Sequence, residues 1–198
     1  VTSVVGLCNL ALVKLGSSQR LTDILDDTRN GRAFNAVFEP KRDLELSAHP
    51  WTFALTRAQI PALSTAPAFG WARAFPRPAN CLKITQIGQD HDMYEGAEPW
   101  YELEGGNILC DEASPLDLRY VVRVTNTGLW HPCFVEVMAC RLAFETCKEI
   151  TGSTDLRAQL WEERKVALLE ARRQNAIEKP PQNTSRGSWW HALHNRGG

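Results

Sequence analysis

No stretch of this 198-residue chain stays apolar for the roughly 18 residues that a membrane-spanning helix needs. Nor is there an excess of either charge. The 22 basic residues nearly cancel the 23 acidic ones, leaving −1, whereas a dedicated nucleic-acid binder carries a basic surplus or stripe. Val1–Val5 has no basic residue before its apolar run, so no secretory leader is expected. The short motifs that carry a mechanism are missing too: there is no GxSxG, P-loop, GxGxxG or HExxH. None of the six cysteines forms a CxxC, which argues against a zinc ribbon or a thioredoxin-like site. What remains is an ordinary globular composition, 43% hydrophobic and 23% charged, which excludes disorder of the whole chain.

The hydrophobic rhythm divides the chain into four parts. In residues 1–50, Val4, Cys8, Leu12 and Leu15 mark one helix stopped by Gly16. Ala33, Val37 and Leu44 mark a second, from about Thr28 to Ser47, with Asp26 and Asp27 at its positive end and Pro40 expected to kink or interrupt it. Residues 51–130 turn Pro- and Gly-rich, with short runs reading as strands at 52–56, 71–75, 82–87, 100–103, 108–110 and 118–124. Glu104-Gly105-Gly106-Asn107 reads as a hairpin turn. Helical rhythm returns over 131–177. Cys133, Cys140 and Cys147 share a stripe about 10.5 Å apart along the axis, too far for disulfides, and read as small buried thiols in a reducing compartment. Gly152 ends that helix, and Ser153 caps a last one carrying Leu156, Leu160, Ala167 and Ala171 on one face. Pro180-Pro181 then stops the helix, and residues 178–198 form an extended tail. The expected fold is α+β, mainly α: a four-helix bundle with a small antiparallel β-insertion and an extended C-terminal tail.

Candidates for chemistry are few. Asp90-His91-Asp92 reads as a solvated loop rather than a metal site, and His191 and His194 have no nearby Cys or carboxylate partner. Asp111, Glu112 and Asp117 are the best acidic candidates for a hydrolase pair, and they read as turn residues. Glu162, Glu163 and Glu170, interleaved with Arg164, Lys165, Arg172 and Arg173, read as a solvated helix face. No catalytic, cofactor-binding or metal-binding residue is expected, and no enzyme. The tail is the anomaly. Seven tryptophans is a high count for this length, and Trp189, Trp190 and Leu193 sit in a segment with little sequence to bury them.

Several short motifs, taken in order, resemble the head-to-tail adaptor proteins of tailed bacteriophages, the tail tubular protein A family. Asn9-Leu10-Ala11-Leu12-Val13-Lys14-Leu15-Gly16 is similar to that family's opening helix. Phe38-Glu39-Pro40-Lys41-Arg42-Asp43, with His49-Pro50-Trp51-Thr52-Phe53-Ala54, is similar to its second helix and the exit into its sheet. Phe75-Pro76-Arg77-Pro78-Ala79-Asn80-Cys81-Leu82 resembles a recurrent tyrosine-leucine-proline-alanine-aspartate stretch, with an inserted Arg-Pro step and Asn for Asp. Tyr120, Trp130-His131-Pro132, Phe134 and Leu142-Ala143 resemble the following strand-to-helix passage. The resemblance implies a virion protein of the tail or neck, assembled in the host cytoplasm. It implies a homo-oligomeric ring, of twelve copies in that family, with the portal above, tail nozzle or tail fibre proteins below, and DNA passing the channel without specific binding. It also implies that the tail is a portal-binding arm, with Trp189, Trp190 and Leu193 as anchors and Arg186 and Arg196 at the rim. Trp161, Val166 and Leu169, off the main stripe of the last helix, are candidates for the ring interface. The alternatives are a DNA-packaging accessory or DNA-binding protein, or a tail-associated hydrolase.

Overall fold

The computed structural model describes residues 3–88 and 101–178. Four α-helices, α1 (Val4–Lys14), α2 (Arg29–Ser47), α3 (Pro132–Thr151) and α4 (Thr154–Ile177), flank six strands. The strands are β1 (Leu55–Ile60), β2 (Arg73–Pro76), β3 (Cys81–Ile87), β4 (Glu102–Glu104), β5 (Asn107–Cys110) and β6 (Leu116–Val122). Each helix starts where a side chain satisfies an orphan N–H. Ser3, Thr28 and Ser153 accept from the third residue on, and the His131 ring accepts from Cys133. Left-handed Gly16 and Gly152 follow α1 and α3.

The expected four-helix bundle with a small β-insertion is not what forms. The chain is α+β, with four helices and two three-stranded antiparallel sheets. Two physical facts produce the difference. First, α3 is apolar around most of its circumference, burying Phe134, Val135, Val137, Met138, Ala139, Cys140, Leu142, Ala143 and Cys147. The other three helices each pack on α3 far more than on one another, so α3 is a hub rather than one of four equal members. Second, the β-region has a core of its own. Phe75, Cys81, Ile84, Ile87, Ile108, Cys110, Leu116, Leu118 and Tyr120 close a second apolar cluster across the two sheets.

The first sheet has the order β1-β6-β3, and the second the order β2-β5-β4. In the first, β6 alternates. Leu116, Leu118 and Tyr120 join the inter-sheet core, while Val121, opposite Leu55, joins the helical core. The expected hairpin is present between β4 and β5, with Gly105 (φ 55°) and Gly106 (φ 83°) supplying the two positive φ angles of its turn. An aromatic cluster lies within the helical core. Trp51 and Trp130 both set their rings edge-on against Phe134, at 5.1 Å between centroids. Their indole N–H groups donate to the carbonyls of Glu45 (3.0 Å) and Val124 (3.2 Å), so neither is orphaned by burial.

Two local expectations also change. Pro40 does not interrupt α2, which runs unbroken from Arg29 to Ser47. The carbonyl that Pro40 leaves without its helical donor belongs to Ala36, and both residues are exposed, so water can take the bond. Asp26 does not serve the helix end. Its carboxylate accepts from the N–H of Asp23 (3.1 Å) and from the N–H and hydroxyl of Thr22 (both 3.0 Å), and these bonds hold it below the usual carboxylate range.

This turn lies directly over the first turn of α2. A Cβ on Gly31 would sit well inside van der Waals contact with the Asp26 carbonyl. Gly31→Ala therefore destabilises the fold by at least about 1 kcal/mol, although Ala is the better helix former by a similar amount. Urea unfolding of the two proteins checks this; equal or greater stability of the Ala variant contradicts the close approach.

Candidate functional site

Among the described residues no cleft brings together a nucleophile, a base or a metal-ligand set, and the strongest candidate is a surface, the outer side of α4. Its inner stripe is set by sequence. Leu160 and Ala171 are buried against α3, and Leu156, Ala167 and Leu168 are partly buried there. On the other side Val166, Leu169 and Ile177 are 70%, 73% and 67% exposed. Helical geometry puts Leu169 about 60° and Ile177 about 20° from Val166, so the three lie along one face. Isolated exposed aliphatics are common on soluble proteins; Val166 and Leu169, one turn apart, form an apolar patch that association would cover, and Ile177 extends this face beyond the exposed Arg173.

Of the three predicted interface residues, Val166 and Leu169 come together on this strip, and Trp161 does not. Trp161 lies about 140° around the helix from Val166. It is 38% exposed and packed at a tilt: its ring centroid is 5.1 Å from that of Phe144, and the Arg164 guanidinium lies 5.2 Å from its centroid. Arg157 covers Phe144 at 4.2 Å. The adjoining depression of about 400 Å³ is lined by Phe144, Lys148, Thr154, Arg157, Ala158 and Trp161.

Arg164 also departs from the solvated face expected of it. It reaches inward to Glu45 of α2, with Nε and Nη2 at 3.0 and 2.5 Å from Oε1. Arg141 of α3 stands 3.7 Å from the same oxygen and 2.7 Å from Glu145, which in turn takes Lys41 of α2 at 3.0 Å. Glu45 is only 1% exposed. The neighbouring Glu162–Lys165 pair, at 2.7 Å, is solvated as expected.

The end of α4 is tied down. The Asn175 carbonyl oxygen accepts the Thr52 N–H at 2.7 Å, while its amide nitrogen meets His49 Nε2 at 2.9 Å and the Pro50 carbonyl at 3.4 Å. Glu178 accepts from the Thr52 hydroxyl at 2.7 Å and lies 3.3 Å from His131 Nε2. The last turn is thereby fixed to the chain on either side of Trp51. The proposed arm residues Arg186, Trp189, Trp190, Leu193 and Arg196 lie outside the described residues, as do Asp90-His91-Asp92, His191 and His194.

The remaining candidates have structural partners. Asp111 accepts the Ala72 N–H at 2.8 Å, and the carbonyls of Asp111 and Glu112 accept from Arg73. Asp117 is a strand residue on β6 rather than a turn residue, and accepts from Gln59 at 2.9 Å. The six cysteines are free thiols, five of them buried and Cys133 half-buried. Burial pushes Cys8 up to about 12 and raises Cys110, Cys133 and Cys140, so these thiols stay protonated and unreactive at neutral pH. Among the described residues no group of three His, Cys, Asp or Glu is placed to hold a metal ion, and no helix is long and apolar enough to cross a membrane.

Sequence reasoning overlooked two groups: the buried cluster around Glu45, and a pair of arginines, Arg57 and Arg119, facing each other across β1 and β6. The second had a signal, since both sit at alternate positions to the apolar residues of their strands; the pairing itself did not. No protein-family model matches the chain, and no curated protein matches it significantly.

Removing the Asn175 side chain leaves the Thr52 N–H without its acceptor in a mostly buried setting. Asn175→Ala is expected to cost about 1–3 kcal/mol and to raise amide exchange selectively in the last turns of α4. Unchanged exchange there contradicts the tie.

Proposed function

We propose that this protein is a structural subunit of a phage neck, a head-to-tail adaptor that packs side by side into a closed ring. The portal lies above it and the tail nozzle or fibres below. The observation that carries this reading, beside the motif resemblance, is the strip of Val166, Leu169 and Ile177 on α4. A ring needs two different side faces on each subunit, related by a rotation that closes. Exposed Leu10 and Val13 on α1 give a second apolar patch on a different helix of the same hub. In this reading one helix face of each copy covers the other face of its neighbour, in a ring of twelve assembled in the host cytoplasm and carried in the virion.

The tail, residues 178–198, is the portal-binding arm. Its Pro180-Pro181 disfavours continuation of a helix, and Trp189, Trp190 and Leu193 are its only large apolar residues. Ordering such a segment costs about 1–2 kcal/mol per residue in backbone entropy, which buried aromatic anchors offset. Assembly is accordingly coupled to the portal, and the isolated protein is a monomer or small oligomer.

Mass photometry with and without the cognate portal tests the assignment. The expected result is a closed ring only in the presence of portal. Val166→Asp with Leu169→Asp is expected to leave subunit stability within about 0.5 kcal/mol and to abolish ring closure. Trp189→Ala with Trp190→Ala weakens portal attachment without lowering the melting temperature of the free subunit. A complete ring without portal, or normal assembly by the Asp variant, contradicts the proposal.

A further inference from the structure

The outer face of the first sheet is built in rows. Leu55 and Val121 form the row next to the helices, and Val121 is fully buried beneath them. The next row, away from the helices, is Arg57 of β1, Arg119 of β6 and Gln86 of β3, each directly opposite its neighbour. The row after that pairs Gln59 with Asp117, whose carbonyl accepts the Gly88 N–H at 2.8 Å. These two rows floor a depression of about 530 Å³, a size usual for ligand sites. The opposite faces of the same strands carry Leu116, Leu118 and Tyr120 into the inter-sheet core, so the floor is fixed.

Two like charges placed directly opposite on antiparallel strands repel, and a sheet gains nothing from them unless something anionic lies between. Among the described residues neither guanidinium has an ion-pair partner. The carboxylate in the depression, Asp117, accepts from Gln59 at 2.9 Å. Among the described residues, two guanidinium groups against one carboxylate leave the row cationic, in a chain whose net charge is −1. The cation is thus concentrated rather than general.

We propose that the Arg57–Arg119 row is a binding site for a phosphate group. A planar carboxylate is saturated by one guanidinium fork. Two forks on strands whose opposed Cβ atoms stand about 4.5–5.5 Å apart suit an anion with three or more acceptor oxygens in a tetrahedral array. The phosphate comes either from a free small ion or from a nucleic-acid backbone, and the open depression admits both. The site owes nothing to the surface of α4, so it stands or falls separately from the ring assignment.

The test uses two probes on the full chain. Inorganic phosphate is titrated while the side-chain Nε–H signals of Arg57 and Arg119 are followed by NMR, and a short labelled DNA duplex is titrated by fluorescence anisotropy at several salt concentrations. Movement of both signals with phosphate alone identifies a small-ion site. Duplex binding that Arg57→Ala with Arg119→Ala weakens at least tenfold at low salt, with a log K against log salt slope shallower by about two, identifies a backbone site. Lys165→Ala, on the far helix, is expected to change neither. Should the double Ala variant lose its fold, Arg57→Gln and Arg119→Gln singly are read against the same slopes, each expected to reduce it by about one. Arginine signals that ignore both probes, or variants that bind like the wild type, overturn the proposal.

Discussion

A single carboxylate holds the helical half of this protein in register. Glu45 lies on α2, buried, and takes Arg164 from α4 and Arg141 from α3 on the same oxygen. The three helices contributing to this cluster meet mainly through α3, because α2 and α4 have little direct packing. Apolar contact fixes each helix to the hub but leaves rotation and sliding weakly specified, since many side chains of similar size fit a smooth apolar seam. A buried charge permits no such slack. It is tolerated only where its partners reach it, and breaking such a pair by removing one partner costs about 3–5 kcal/mol.

The position of the exposed α4 strip follows from that constraint. With Arg164 drawn inward to Glu45, and Leu160 and Ala171 against α3, the helix has one available rotation, and Val166, Leu169 and Ile177 must face out. Asn175 and Glu178 fix the far end against Thr52, next to the Trp51, Trp130 and Phe134 cluster of the helical core. A second link, Arg123 to Asp43 at 2.7 Å, ties the end of β6 to α2. The molecule thus presents a rigid helix face on one side and a rigid sheet face on the other, both suited to contacts that depend on fixed geometry.

Features governed by near neighbours in sequence were legible before the structure. The Ser153 cap, the Gly152 stop, the Gly105-Gly106 turn and the inner stripe of α4 each depend on residues within one or two turns. Six short strands were legible as runs, although their ends shift by up to a few residues. What was not legible is pairing at long range. The last strand, β6, inserts between β1 and β3, and its core is assembled from one to three residues per strand, so no single run announces a second core. The same reason hid the Glu45 cluster. An arginine among alternating charges reads as solvent-facing until three separate helices bring it to Glu45.

The direct measurement of the central claim is a double-mutant cycle on Glu45 and Arg164, using Glu45→Gln and Arg164→Met, with stability from chemical denaturation. If the buried carboxylate sets the arrangement of α2 and α4, each single change costs about 3 kcal/mol or more. The double change then costs well under the sum, with a coupling of at least about 1.5 kcal/mol. Additive costs within about 0.5 kcal/mol, or single changes that are nearly neutral, contradict it and leave the helix arrangement to apolar packing alone.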